Sequence, residues 1–336
     1  MSDLPTDFEK NKESATLNLL VRQIRFEANG INTYELVDPN GAALPPVTAG
    51  AHIDVYLDNG MVRQYSLCND PAETNRYVIA VLKDEAGRGG SKALQASIRV
   101  QDIVKVGPPR NNFVLDESAS HYLLLAGGIG ITPLKSMCHR LESLGKSYKL
   151  YYCAKTPDFV AFKGDLAKLG GAGEVVFHYD NGDVRNGLDL KTLLATHNQD
   201  AQLYYCGPPG FMQACFQAAQ HWPTGAVHYE HFGLPVAPAS TPIDTDYDPD
   251  APFQVKLNRS GRLIQVNAGQ SLVDALGKAG VHVDTSCESG LCGSCKLPYL
   301  SGEPEHLDYI LSEDEKRQYL TACVSRCRIG PLVLDI

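Results

Sequence analysis

The cysteines of this chain crowd toward its C-terminal end, and their spacing constrains the fold more than any other feature. Of ten cysteines, five lie between residues 287 and 327, and three of them stand within nine residues as Cys287, Cys292 and Cys295. The N-terminal residues contain no apolar segment of the secretory kind, so we expect a cytoplasmic protein. Because thiols stay reduced in that compartment, the cluster indicates a binding site and not a set of disulfides.

The spacing C-x4-C-x2-C is that of the plant-type [2Fe–2S] ferredoxins, in which a fourth cysteine follows further along the chain. Small residues between the three cysteines let backbone N–H groups approach the sulfur atoms. A structural zinc site is a weaker interpretation, because such sites usually pair two knuckles and no second knuckle is present. Plain buried thiols are the other alternative.

Cys323 and Cys327 both stand where the fourth ligand is expected. The segment Tyr319-Leu-Thr-Ala-Cys323-Val-Ser resembles the strand end that carries the last ligand in the plant-type ferredoxins. This resemblance favours Cys323 as the ligand and leaves Cys327 as a bystander.

Length and charge narrow the remaining classes of protein. At 336 residues the chain is too long for one ordinary hydrophobic core, so we expect two or three domains. A formal charge of −9 with no cluster of Lys and Arg argues against a nucleic-acid partner. The longest apolar run, residues 122–131, is far shorter than the roughly 20 residues that a membrane span needs.

The pattern of apolar residues along the chain changes twice. Residues 16–115 alternate short apolar runs with turn pairs such as Asn-Gly and Gly-Gly, which is typical of an antiparallel β-barrel or sandwich. From residue 120, strands alternate with helical stretches, which indicates βαβ units and a parallel sheet with its ligand site at the carboxyl ends of the strands. Residues 234–252 hold five prolines and four aspartates and read as an extended linker.

Two turns of the parallel-sheet region have the composition of a nucleotide site. In Gly127-Gly128-Ile-Gly130-Ile-Thr132-Pro133, glycines would let a pyrophosphate approach a helix that Thr132 caps and Pro133 begins. Alone, such a turn is also explained as a simple tight turn. The second turn, Cys206-Gly207-Pro208, follows the fourth strand and belongs at the same sheet edge. Cys206 there is either a small buried side chain or a neighbour of the nicotinamide.

Taken together and in chain order, four motifs resemble the phthalate dioxygenase reductase family, a branch of the ferredoxin–NADP reductase superfamily. They are R-x-Y-S at Arg63, G-G-x-G-x-T-P at Gly127, C-G-P-P at Cys206 and C-x4-C-x2-C at Cys287. The resemblance runs from about residue 16 to the end of the chain. It implies an FMN-binding β-barrel domain at 1–117, an NAD-binding α/β domain at 118–233, the linker 234–252 and a ferredoxin domain of the α+β, β-grasp type at 253–336.

The resemblance also implies roles for individual residues. Arg63, Tyr65 and Ser66 would contact the flavin, with the Ser66 hydroxyl near flavin N5. A turn closing on a single phosphate favours FMN over FAD. Ser66 and Cys206 would shape the contact between nicotinamide and flavin, and Phe232 would cover the flavin until the nicotinamide arrives. The phosphate contacts would come from Gly87, Arg88, Gly89, Gly90 and Ser91. The pyridine nucleotide contacts would come from Gly128, Gly130, Thr132, Pro133, Cys206, Gly207 and Pro208.

Coenzyme choice follows from the ends of two strands. Asp180 would repel a 2′-phosphate, so NADH is the expected coenzyme, while Lys155 leaves NADPH open. Electrons would then pass from NADH to FMN to the [2Fe–2S] cluster and leave to another protein. The expected partner is a two-component Rieske oxygenase. A cytochrome P450 is the alternative, and a flavin- and cluster-based sensor is disfavoured because no output domain is recognisable.

Overall fold

The computed structural model describes most of the chain. The described residues are 16–85, 87, 89–197, 200–232, 248, 251–285, 287–291, 293–327 and 330–336. Two predicted site residues, Arg88 and Cys292, and nearly all of the predicted linker 234–252 lie outside them. By contact density the chain divides into two compact units. One holds residues up to Glu117 with Thr132–Tyr148 and Thr156–Val175, and the other holds Ser118–Ile131, Lys149–Lys155 and Val176–Ile336.

The first part of the chain forms a six-stranded antiparallel sheet in the order β4-β3-β6-β1-β2-β5. A bridge between Leu67 and Ile79 joins the continuation of β4 to β5 and curls the sheet into a barrel. The antiparallel β-structure predicted for residues 16–115 is confirmed. The elements are β1 (Leu17–Ala28), β2 (Ile31–Val37), β3 (His52–Tyr56), β4 (Val62–Ser66), β5 (Tyr77–Leu82), helix α1 (Gly90–Ser97) and β6 (Ile103–Val106).

Alternation along the strands explains the barrel core. Residues such as Ile53 and Val55 on β3 point inward and are fully buried. Helix α1 is held to this core by Leu94, the one large apolar side chain of the helix that is completely buried. Leu94 therefore determines where the N-terminus of α1 stands relative to the strands.

The second region contains a five-stranded sheet in the order β11-β10-β7-β8-β9, in which β10 runs parallel to both β7 and β11. The predicted parallel sheet is thus confirmed. Its strands are β7 (His121–Gly127), β8 (Ser147–Ala154), β9 (Gly173–Tyr179), β10 (Ala201–Gly207) and β11 (Val227–His231). Its helices are α2 (Ile131–Leu144), α3 (Lys163–Leu166), α4 (Leu190–Leu193) and α5 (Pro209–Ala218).

The sequence predicts helical stretches at residues 158–170 and 188–197, and both are much shorter in the structure. The stretch after β8 contains only a 3-10 turn and the four-residue α3, because Phe162 adopts a left-handed backbone conformation (φ 59°) that interrupts the helix. The stretch after β9 contains only α4, which Asp189 caps by accepting the N–H of Thr192.

The C-terminal part is a mixed five-stranded sheet in the order β13-β12-β18-β14-β16, in which β12 and β18 are parallel and the other three pairs are antiparallel. Helix α6 buries Leu272 and Leu276 in its core. These are the strands and helix of the predicted α+β, β-grasp unit. They are β12 (Phe253–Leu257), β13 (Leu263–Val266), α6 (Leu272–Lys278), β14 (Lys296–Ser301), β15 (Pro304–Glu305), β16 (Tyr319–Thr321), β17 (Arg326–Cys327) and β18 (Leu332–Leu334).

Within the described ranges, no helix has both the length and the hydropathy to cross a bilayer.

Replacing Leu94 by Ala should lower the free energy of unfolding of the barrel by about 2–5 kcal/mol, because a buried leucine loses its contacts and leaves a cavity. Urea denaturation of the full chain followed by circular dichroism measures this. The control is Ala96→Ser on the exposed side of the same helix. A leucine variant as stable as this control would contradict the anchoring role of Leu94.

Candidate functional site

Strand β4 carries three of the predicted flavin residues. In its antiparallel pairing with β3, Arg63 faces Val55, Tyr65 faces Ile53 and Ser66 faces His52. Arg63 and Tyr65 therefore share one side of the strand, and Ser66 occupies the other, as alternation predicts. Burial raises the pKa of Tyr65, so its hydroxyl remains protonated.

Arg63 lies against the first turn of α1. Gly89 precedes the helix in a left-handed conformation (φ 83°), and among the residues that the structure describes no side chain caps the helix N-terminus. A Cβ on Gly90 would lie 2.2 Å from Arg63 Nε, so only glycine lets the guanidinium come this close. Uncapped N–H groups beside a guanidinium suit a phosphate, and the group that the sequence implies fits here.

The remaining residues of the predicted phosphate turn are placed as follows. Ser91 Oγ accepts a hydrogen bond from the N–H of Asp84 at 3.0 Å. Gly87 stands so near Asp84 that a Cβ would meet its carboxylate oxygen at 2.5 Å. Asp84 therefore closes the turn, while Arg88 belongs to the residues that the structure does not describe.

In the predicted nucleotide turn, residues 127–130, glycines let the backbone lie very close to the turn that follows β10. Strand β7 ends at Gly127, a 3-10 turn spans Gly128–Gly130, and α2 begins at Ile131. A Cβ on Gly130 would lie 2.1 Å from the carbonyl oxygen of Cys206. A Cβ on Gly127 would lie 2.8 Å from Pro208 Cδ. The two predicted turns are therefore in contact. No atom of the described part of the chain stands within 4 Å of the Cβ position of Gly128, which leaves room for a ligand.

One detail of this turn differs from the prediction. Thr132 does not precede the helix as a cap but is its second residue, and its side chain is buried. The glycines wind directly into a 3-10 turn, which moves the start of the helix to Ile131. Pro133 is then the third residue, still within the first turn where proline is tolerated.

Cys206 is the last residue but one of β10 and lies between two other strands, opposite Ala126 of β7 and Glu230 of β11. It is fully buried, and burial, followed by the charge of Glu230, raises the pKa of its thiol well above the usual value. The thiol is neutral, so Cys206 can shape a surface but cannot act as a nucleophile. Gly207 and Pro208 follow it, and Phe232 comes directly after β11 with 43% of its surface exposed.

The two residues that bear on coenzyme choice, Lys155 and Asp180, directly follow β8 and β9, and backbone hydrogen bonds join the two segments. The N–H of Asn181 donates to the carbonyl of Lys155 at 2.8 Å. The carboxylate of Asp180 accepts the N–H of Gly182 at 2.8 Å, which fixes a negative charge beside that turn. A 2′-phosphate at this position would meet that charge.

Two of the four predicted cluster ligands, Cys295 and Cys323, are in contact, and Cys287 lies near enough for its charge to act on Cys323. The N–H of Cys323 donates to Cys295 Sγ at 3.4 Å, and the N–H of Leu291 donates to Cys287 Sγ at 3.3 Å. A hydrogen bond with the Cys295 thiol, then burial, raises the pKa of Cys323, and the charge of Cys287 adds to the shift. Soft thiol donors with N–H···S bonds suit iron and sulfide, so the donor set fits the implied cluster.

The loop around these thiols depends on glycine. Gly290 and Gly293 both have positive φ, and a Cβ on Gly290 would lie 2.9 Å from Asp308 Cα. Cys292 lies outside the described part of the chain. Within that part, no three His, Cys, Asp or Glu side chains form a group ready to hold a metal ion. Cys327 lies on β17 and donates to the carbonyl of Gly330 at 3.4 Å.

Sequence reasoning missed a buried polar group beside Ser66. His52 and Asp54 lie on β3 opposite Ser66 and Gln64, and Arg110 donates to Asp54 at 2.6 Å. Burial, followed by the charge of Arg110, lowers the pKa of His52 to about 4, so its imidazole is neutral. The signal was present as polar residues at 52, 54, 64 and 66 on one face of a strand pair.

Comparison with known proteins agrees with this geometry. Residues 255–328 match the 2Fe-2S iron-sulfur cluster binding domain model, and residues 124–217 match the oxidoreductase NAD-binding domain model. Phthalate dioxygenase reductase of Burkholderia cepacia is 41% identical over 97% of this chain and 99% of its own length.

This chain belongs to the phthalate dioxygenase reductase family. A crystal structure of phthalate dioxygenase reductase superimposes with a TM-score of 0.71 at 41% identity, covering 96% of this chain and 99% of that one. The reductase subunit of the tert-butanol monooxygenase / tert-amyl alcohol desaturase of Aquincola tertiaricarbonis is 52% identical over 95% of this chain and 96% of its own. An intact type IV self-sufficient cytochrome P450 monooxygenase gives a TM-score of 0.83 at 34% identity, covering 96% of this chain and 41% of that one.

Membership confirms the predicted fold and cofactors. The protein is an oxidoreductase with FMN, NADH and a [2Fe–2S] cluster, and its general role is that of an electron-transfer reductase for oxygenases.

Replacing Gly130 by Ala should raise the NADH concentration for half-maximal flavin reduction about tenfold, because a Cβ forces the two turns apart. Steady-state and stopped-flow kinetics measure it, while the flavin and cluster spectra report integrity. Gly277→Ala in α6, where a Cβ meets nothing within 4 Å, is the matched control. Equal NADH dependence in both variants would show that the close approach is not needed.

Proposed function

We propose that this protein is the NADH-dependent reductase component of a two-component Rieske non-haem iron oxygenase. The observation that carries the proposal is the match to a reductase subunit and to phthalate dioxygenase reductase over 96% and 99% of their lengths. The self-sufficient P450 is matched over only 41% of its chain. The structural similarity to this P450, with a TM-score of 0.83, makes a haem monooxygenase the second candidate acceptor.

The domain boundaries that go with this proposal are 1–117 for FMN, 118–233 for NADH, 234–252 as linker and 253–336 for the cluster. The flavin converts the electron pair of a hydride into single electrons, which is the form that a [2Fe–2S] cluster accepts. The role of the polypeptide is to hold the cofactors in position. Arg63 and the N-terminus of α1 bind the FMN phosphate, with Gly87, Arg88, Gly89 and Ser91 forming the turn.

The reacting edge of the site is assigned to neutral groups. Ser66 and Tyr65 would orient a bound flavin from β4, with the Ser66 hydroxyl near the hydride-accepting position. Cys206 and Phe232 shape the contact with nicotinamide, and no general base is required. Gly128, Gly130, Thr132, Pro133, Gly207 and Pro208 complete the nucleotide site.

Cys287, Cys292, Cys295 and Cys323 are the proposed cluster ligands, and Cys327 is a bystander. Changing Cys323 to Ser should remove at least about half of the bound iron and sulfide, because iron–sulfur clusters require thiolate ligands. The matched control is Cys327→Ser, whose thiol donates to a carbonyl instead. Iron and acid-labile sulfide per chain, with the visible spectrum, give the result. Cluster loss in the Cys327 variant with retention in the Cys323 variant would reverse the assignment.

Two purified acceptors test the choice of partner. Each is mixed anaerobically with the complete holoprotein and NADH: a Rieske-type oxygenase component, followed by electron paramagnetic resonance, and a cytochrome P450, followed by haem absorbance. We expect the Rieske centre to be reduced at least about tenfold faster, since specificity is a difference between affinities for competing partners. Faster reduction of the haem would replace the proposal by its alternative.

A further inference from the structure

A lysine is buried one turn into helix α2. Lys135 is only 5% exposed, although an ammonium group is costly to remove from water unless polar partners surround it. It belongs to none of the motifs that bind the cofactors. Its position therefore calls for a physical explanation from its contacts.

The ammonium of Lys135 joins three segments of one compact unit. It donates to the backbone carbonyl of Cys68 at 3.0 Å and to His139 Nε2, one turn along α2, at 3.1 Å. It also lies 3.8 Å from the carboxylate of Asp165 on α3. Helix α2, the continuation of strand β4 and the turn at α3 are thus linked through one charge.

The turn that contains Phe162, next to Lys135, is held in its conformation by several contacts. The ring of Phe162 lies 5.0 Å below Lys135 Nζ, in cation–π range. Phe162 has a left-handed backbone (φ 59°), a conformation that a bulky residue keeps only where its surroundings impose it. Its N–H donates to the carboxylate of Glu27 on β1 at 2.8 Å. The contacts of Phe162 therefore reach the barrel as well.

His139 accepts from Lys135 through Nε2, so it is neutral with its proton on Nδ1. Burial, followed by the charge of Lys135, lowers the pKa of His139, which agrees with this arrangement. Lys135 is therefore the donor in this hydrogen bond, and the Asp165 carboxylate lies 3.8 Å from the same nitrogen.

The two segments that Lys135 links each lie beside a residue assigned to the proposed reaction. Cys68 is two residues past Ser66, and its own N–H donates to the carbonyl of Val78, so both backbone groups of Cys68 are held. Helix α2 begins directly after Gly130. We infer that Lys135 is a positioning residue for hydride transfer, which ties the exit of the flavin strand to the helix that follows the nucleotide turn. The inference rests on the proposed transfer from NADH to FMN.

The test uses the holoprotein with Lys135→Met, which removes the charge while an unbranched side chain fills the space. Lys168→Met is the control, because Lys168 lies 3.9 Å from the same Asp165 carboxylate but is 81% exposed. With NADH saturating, the first-order rate of flavin reduction should fall about tenfold or more in Lys135→Met, since small misplacements of reactants are costly. The NADH concentration for half-saturation should change less than about twofold, because the nucleotide turn is intact.

Two further readouts separate positioning from general stability. The long-wavelength charge-transfer absorbance formed when NADH meets oxidised flavin should weaken in Lys135→Met and not in Lys168→Met. Backbone amides of residues 66–69 should exchange hydrogen faster in Lys135→Met, because the tie on the Cys68 carbonyl is gone. Lys135→Gln, whose amide can still donate, should recover part of both signals.

Wild-type reduction rate and charge-transfer absorbance in Lys135→Met would overturn the inference. Loss of bound FMN in both the Met and the Gln variants would also overturn it, because Lys135 would then be a residue needed only for folding. If NADH fails to reduce the flavin of the wild-type protein, the proposed function is wrong. In that case the exchange of residues 66–69 still decides whether Lys135 holds the strand.

Discussion

Nicotinamide gives up its electrons as a pair and a [2Fe–2S] cluster takes one at a time, so a flavin is required between them. This chemical constraint accounts for the three modules of the chain. Each module solves a different binding problem with backbone geometry. An uncapped helix N-terminus beside Arg63 suits a phosphate, a glycine turn pressed against a strand end suits a pyrophosphate, and N–H groups aimed at thiols suit a cluster.

Each of the three sites contains a glycine that lets two parts of the chain lie unusually close together. At Gly90 the missing Cβ admits a guanidinium, and at Gly130 it admits a carbonyl oxygen of the neighbouring strand. At Gly290 it admits the backbone of residue 308. In each case the absent side chain lets two parts of the site come within van der Waals distance, which any larger residue would prevent. Gly290 also has a positive φ, as does Gly89 directly before α1, a conformation that glycine adopts without steric cost.

Charge is distributed unevenly around these sites. Several groups of the proposed flavin and nucleotide sites are neutral, because burial keeps the Cys206 thiol and the Tyr65 hydroxyl protonated and His52 unprotonated. The side chain of Lys135 is buried, and a carbonyl, an imidazole and a carboxylate surround its nitrogen. A reaction that moves a hydride needs positioned neutral surfaces more than it needs a base, and the buried lysine supplies position.

The sequence alone determined the strand pattern of the barrel, the parallel sheet and the cluster loop, because these depend on alternation and on short spacings between glycines and cysteines. It overestimated the helices after β8 and β9 and placed the start of α2 too late, since helix ends depend on local turns such as Phe162 and Gly128–Gly130. Only the tertiary structure brought Gly130 to the Cys206 carbonyl, Cys323 to Cys295, and Lys135 to Cys68 and Asp165. Those partners are between 28 and 76 residues apart in the chain, and no periodicity within one segment records which distant backbone group a side chain will meet.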